Sequence, residues 1–158
     1  TLAASLIKRG GVLVADGYTA VRLDESGAWA LPAFPSQMLW KDSLEQLGLA
    51  PDGLTLVRPE TPMIERYFVP VAAYTAQPRP IHRIYFLGTK NLAPAERLKG
   101  VKVMQNLPSS MYHPSFAHAD LMPFLLNIAR HAEIYLLHRG RNWNLPELTQ
   151  RLEESLSS

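Results

Sequence analysis

Asp16 directly follows the apolar run Val12-Leu13-Val14-Ala15 and precedes Gly17. If that run is a strand, the carboxylate lies at its carboxyl end, the edge at which open α/β sheets bind ligands. An acid there can hold Mg2+ or accept the proton of an attacking hydroxyl in phosphoryl transfer. An ordinary Asp-Gly turn explains the same residues, and spacing alone favours it. Arg66 stands in Glu65-Arg66-Tyr67-Phe68, where a strand arginine beside aromatic rings can clamp phosphate oxygens. An edge arginine paired with Glu65, or solvated, is favoured on these residues alone. Trp40, in Leu39-Trp40-Lys41-Asp42, can stack on a base or a peptide, or serve as a core tryptophan.

Other reactive residue types exclude more than they suggest. His82, His113, His118, His131 and His138 show neither H-x-x-x-H nor H-E-x-x-H spacing, which argues against a zinc site. Ser109, Ser110, Tyr112 and His113 gather hydroxyls and an imidazole, but without a G-x-S-x-G elbow they read as a helix connection. The chain has no cysteine, so disulfides and thiolate metal sites are excluded. Sixteen Lys and Arg against fourteen Asp and Glu leave a net charge of +2, too little to argue for a nucleic-acid or membrane-surface partner. The basic pairs Lys8/Arg9, Lys99/Lys102 and Arg139/Arg141 read as solvated faces or helix ends. The longest apolar run, residues 121–128, is interrupted by Pro123 and Asn127 and falls short of the ~20 apolar residues a bilayer span needs. At the start of the chain the charges follow the apolar part, the reverse of a signal peptide. A cytoplasmic location fits these features.

The elements that must position these residues follow from the pattern. A chain of 158 residues, 47% hydrophobic and 19% charged, is one domain's worth with a sizeable core; thirteen prolines argue against a pure helix bundle. Residues 1–9 read as a helix stopped by Gly10-Gly11. The 12–15 run reads as a strand buried on both faces. Residues 18–23 and 28–31 read as hairpin arms about a turn at 24–27. Pro32 and Pro35 bracket an extended loop, and Asp42 or Ser43 could cap a short helix through Gly48. One weak strand at 54–58 lies in a loop spanning 49–62. Strands follow at 66–69, at 84–87 and at 133–137. Helices are expected over 93–98, 100–107, 118–131 and 144–156. The order implies an α/β fold, a mixed sheet flanked by helices.

These pieces resemble a known family. The stretch Thr1-Leu2-Ala3-Ala4-Ser5-Leu6-Ile7-Lys8-Arg9-Gly10-Gly11, followed by Val12-Leu13-Val14-Ala15-Asp16, is similar to the segment after the Walker A loop in HPr kinase/phosphorylase-like proteins. There T-L-A-x-x-L-x-x-R-G leads into an apolar strand ending A-D-D. Leu31-Pro32-Ala33-Phe34-Pro35 with Leu39-Trp40-Lys41-Asp42-Ser43-Leu44 resembles the P-x-x-P…L-W-P-D-S-L segment of the short branch of that family. Glu65-Arg66-Tyr67-Phe68-Val69 resembles its K-R-Y-F-V strand, and Pro80-Ile81-His82-Arg83-Ile84-Tyr85-Phe86-Leu87 its P-L-x-x-I-Y-x-L. Residues 133–148 resemble its closing strand and helix.

The resemblance implies the P-loop kinase fold shared with ATP-dependent phosphoenolpyruvate carboxykinase, and an ATP-dependent kinase acting on a serine of an HPr-like protein or a precursor peptide. It implies ATP and Mg2+ as cofactors. Asp16 would be the base or the metal ligand, and Arg66 the cation facing the transferring phosphoryl. Thr1 would lie beside the phosphates, and Trp40 would line the nucleotide or acceptor pocket. Asp16 and Arg66 are expected to face one open cleft. Nucleic acid and membrane are not expected as partners, and self-association is left open. Two departures matter. Residues 1–158 read as a single domain beginning just after the Walker A loop, without its upstream part. The second carboxylate of A-D-D is replaced by Gly17. A noncatalytic peptide-binding or regulatory module that has lost the phosphate loop is therefore the alternative reading. A small-molecule kinase or carboxykinase-like enzyme is a third.

Overall fold

The computed structural model describes residues 1–90, 94–112, 118–140 and 143–157, and of residues 118–120 the backbone alone. His113, Arg141 and the side chain of His118 lie outside the described residues. The elements in chain order are α1 (Leu2–Lys8), β1 (Val21–Asp24), β2 (Gly27–Ala30), β3 (Ser36–Trp40), α2 (Lys41–Gln46), β4 (Thr55–Leu56) and β5 (Arg66–Pro70). They continue as β6 (Arg79–Pro80), β7 (Arg83–Gly88), β8 (Glu96–Arg97), α3 (Val101–Asn106) with a 3-10 turn over Leu107–Ser110, α4 (His118–His131), β9 (Glu133–His138) and α5 (Leu145–Ser157).

The fold is α/β, but its strands form three small sheets, ordered β1-β2-β6, β3-β5-β4 and β7-β9-β8. The first two are antiparallel; the third is mixed, with β7 and β9 parallel and β8 antiparallel to β9. The period-2 pleat of β7 and β9 separates two packed layers. Ile84, Phe86, Ile134 and Leu136 face the core of α3 and α4, while Tyr85 and Leu137 face α5. Each helix is dictated by its apolar stripe. In α4 and just beyond it, Leu121, Leu125, Ile128 and Ala132 are buried at helical spacing, and Pro123 sits on the exposed side. In α5, Leu145, Leu148, Thr149 and Leu152 are buried, and the Glu147 N–H donates to Asn144 Oδ1 at 2.8 Å, an N-terminal cap. The buried Thr149 and Ser5 hydroxyls, 2.8 Å apart, tie α5 to α1.

Several sequence expectations hold: the opening helix, the hairpin at 21–30, β5, β7, β9 and the three later helices. Two do not. The 12–15 run is no central strand. Leu13 alone is buried, forming a single parallel bridge to Tyr74, while Val12 is 55% exposed. The Leu13 N–H donates to the Ala73 carbonyl and the Ala33 N–H to the Val14 carbonyl, so the run is an extended connector between loops. The helix expected over 93–98 is instead, at Glu96–Arg97, the edge strand β8. It pairs with β9, the Leu98 N–H donating to the Ile134 carbonyl just beyond it at 2.7 Å, and Arg97 Nη2 reaches Glu133 Oε1 at 2.8 Å. The 32–35 loop gives way to an unforeseen strand, β3. Its Gln37 and Leu39 are both 3% exposed and alternate with the more open Met38 and Trp40. Helix α2 begins after Trp40, so neither Asp42 nor Ser43 is its N-cap; Asp42 Oδ1 instead accepts the Ser43 N–H at 2.8 Å.

Gly88 and His138 are partners in the parallel ladder. A Cβ at Gly88 would collide with His138 Nδ1, which is buried and makes no hydrogen bond with a described residue. Gly88→Ala is therefore expected to destabilise the fold by about 1–3 kcal/mol in urea unfolding, through overpacking. Adding His138→Ala should recover most of that loss. An additive double mutant would show that the two sites do not collide.

Candidate functional site

Antiparallel pairing of β3 with β5 places Gln37 opposite Val69, Met38 opposite Phe68, Leu39 opposite Tyr67 and Trp40 opposite Arg66. Leu39, Tyr67 and Val69 point into a core with Ala4, Leu44, Leu47 and Leu145. By the pleat, Met38, Trp40, Arg66 and Phe68 share the opposite face, which is open to solvent at Trp40 (50%) and Phe68 (39%). The flanking bonds Lys41 N–H to Glu65 O and Val71 N–H to Pro35 O fix the hydrogen-bonding parity of the ladder. Met38 and Trp40 accordingly turn their main-chain groups away from β5.

Asp16 meets that outer edge: its Oδ2 accepts the Met38 N–H at 2.8 Å. Gly17, at φ +74, runs so close that a Cβ there would lie 3.3 Å from Met38 Cε. The left-handed turn and the tight approach together explain a glycine after the acid. Trp40 is two residues along the same strand, about 7 Å away at strand rise. The Arg66 guanidinium carbon sits 5.7 Å from the centre of the Trp40 ring. Arg66 Nε is buried and has no hydrogen-bond partner among the described residues.

Glu65 does not neutralise Arg66 through an ion pair. Its Oε1 takes Lys41 Nζ at 2.6 Å, and that hydrogen bond and charge raise the Lys41 pKa. Thr1 closes the other side: its Oγ1 lies 2.5 Å from Ser43 Oγ. Thus Asp16, Trp40 and Arg66 stand about the β3–β5 pair, with Thr1 tied to the start of α2 through Ser43. The shared framework is β3, the strand hidden by its flanking prolines. Lys41, Asp42 and Ser43 also belong to this neighbourhood. Residues 36–40 carry no apolar alternation, since the polar Gln37 is buried while Met38 and Trp40 are more open, so no sequence signal marked this strand.

No group of three His, Asp or Glu side chains able to hold a metal occurs among the described residues. Three concavities elsewhere on the surface, of about 620, 270 and 200 Å3, are lined by other residues. Among the described residues, no helix is long and apolar enough to cross a membrane. Comparison with known proteins gives no match: no family model, no curated protein and no solved structure is similar to the chain.

Proposed function

We propose that the chain serves ATP-dependent phosphoryl transfer to a serine hydroxyl of a protein or peptide, on a fold of the HPr kinase and phosphoenolpyruvate carboxykinase type. The observation that supports this is that an anchored carboxylate, Asp16, and a cation, Arg66, whose buried Nε has no hydrogen-bond partner among the described residues, are both carried by the β3–β5 pair. Mg2+–ATP would supply the phosphoryl group. Asp16 is held by the Met38 N–H through one oxygen, and its other oxygen would take the proton of the serine hydroxyl or meet the metal. Arg66 would face the negative charge of the transferring group. Trp40 would offer a ring to the base or to the acceptor, and Thr1 a hydroxyl to the phosphates. The noncatalytic alternative, a peptide-binding module, is favoured by one specific feature: Gly17 stands where a second carboxylate would divide metal and base duties.

Titration of the natural full-length protein with Mg2+–ATP separates the two readings. Arg66→Ala is expected to weaken nucleotide binding about 10-fold or more, since hydrogen bonds to charged groups contribute about 1.5–3 kcal/mol. Arg66→Lys should recover part of it. Equal affinity in all three proteins would remove Arg66 from the site, and absence of nucleotide binding in the unaltered protein would favour the peptide module.

A further inference from the structure

The largest of the three concavities lies away from Asp16, between α3, α4 and the β8–β9 edge, and has a volume of about 620 Å3. That lies within the range of small-molecule sites, roughly 300–1,000 Å3. Its floor is apolar: Leu98, Val103, Met104, Ala129 and Ile134. At its mouth Leu126 and Val101 are 45% and 73% exposed, more apolar surface than a satisfied core leaves in water.

The charged groups lining it are Arg97, Lys99 and Glu133. Glu133 is already neutralised: Arg97 Nη2 lies 2.8 Å from its Oε1, and Arg83 Nε 3.1 Å from its Oε2. The Tyr135 hydroxyl donates to that same Oε2 at 3.1 Å. Lys102, on α3, is engaged by Glu96 at 2.5 Å. Lys99 makes no ion pair or hydrogen bond with a described residue and is exposed. Lys99 is therefore an unpaired cation beside the apolar trough, and the two arginines on the single Glu133 carboxylate leave the rim positive on that side as well.

We infer that this groove binds a free amphipathic monoanion, a medium-chain acyl carboxylate, with its chain along Leu98, Met104 and Ala129 and its carboxylate at Lys99. Charge complementarity sets the head group and the apolar floor sets the tail. The site shares no lining residue with the Asp16 group and stands whether or not the chain is a kinase.

The test is calorimetric titration of the protein with decanoate below its micelle concentration, against octanoate, decanol and decyltrimethylammonium. Each methylene buried contributes about 0.8 kcal/mol, so octanoate should bind about 15-fold more weakly than decanoate. Decanol should bind up to about 5-fold more weakly, the upper reach of one exposed charge pair, and the ammonium more weakly than decanol. Ala129→Trp should fill the trough and abolish binding. Lys99→Gln, at an exposed position without an ion pair, should bring decanoate down to the affinity of decanol, a loss of up to about 5-fold. Absence of decanoate binding, loss of the chain-length dependence, or equal binding of the ammonium would overturn the inference. So would sedimentation showing a dimer that Val101→Glu dissociates, because the groove would then be an interface between copies.

Discussion

Asp16→Asn is expected to lower phosphoryl transfer by the natural full-length protein at least ~10²-fold, the usual range for loss of a proton acceptor, while leaving its unfolding midpoint unchanged. The two halves of that expectation come from different atoms. Asn keeps an oxygen where Asp16 Oδ2 accepts the Met38 N–H, so the junction between the 12–17 connector and β3 survives. What disappears is the negative charge and the capacity to take a proton. Asp16→Ala removes the acceptor as well and exposes a main-chain donor to a missing partner, which costs about 1–3 kcal/mol where the site is dry. Comparing the two variants separates the turn reading from the catalytic one. A turn residue gives a stability loss in Ala, little change in Asn and no loss of turnover in Asn. A catalytic carboxylate gives equal loss of turnover in both. Near-normal turnover in Asp16→Asn would leave Asp16 as the anchor of β3 and nothing more.

Much of the α-helical part of the fold was legible because its signals are local. Leu121, Leu125 and Ile128 mark α4 by spacing alone, and Asn144 three residues before Glu147 marks the start of α5. The strands divide by what pairs them. Residues 84–87 and 133–137 are apolar because helices cover both faces of that sheet, and the sequence says so. The 12–15 run carries the same composition, yet only Leu13 is buried, since its hydrogen bonds go to loop residues Ala73 and Thr75 and not to a ladder. Composition reports burial; it does not report whether two neighbouring chains arrive in register. The opposite error occurred at β3, where Pro35 at the entry and the polar Ser36 and Gln37 conceal a strand whose buried residues are Gln37 and Leu39. Of the candidate site, the residue types were legible and the framework was not. Asp16 and Arg66 are fifty positions apart, and what relates them is the pairing of β3 with β5. The partner of Glu65 was misassigned for the same reason: its adjacency to Arg66 in sequence counts for less than the approach of Lys41 across the ladder.

Leu44→Ala is expected to destabilise the protein by about 2–5 kcal/mol, the range for emptying a fully buried leucine site. Leu44 is 0% exposed and packs among Ala4, Leu39, Leu47 and Leu145, so it joins α1, β3, α2 and α5 at one point. At this chain length each kcal/mol lowers the melting temperature by about 2–4 °C. Leu125→Ala, equally buried but in the core of α3, α4 and β9, is the matched control. The two should cost similar amounts in global unfolding and differ in where the structure loosens. Under native conditions, hydrogen exchange in Leu44→Ala should rise most at the Ser5 and Leu39 amides, because α1 and β3 close over the vacated space. In Leu125→Ala it should rise most along α4 and at Ile134. The consequence for the candidate site follows from geometry: Trp40 ends β3 four residues before Leu44, and Ser43 holds Thr1. Leu44→Ala therefore loosens both walls about Asp16, whereas Leu125→Ala leaves them intact. A loss below about 1 kcal/mol in Leu44→Ala, or identical exchange maps in the two variants, would show that the β3–β5 sheet is not supported by a core of its own.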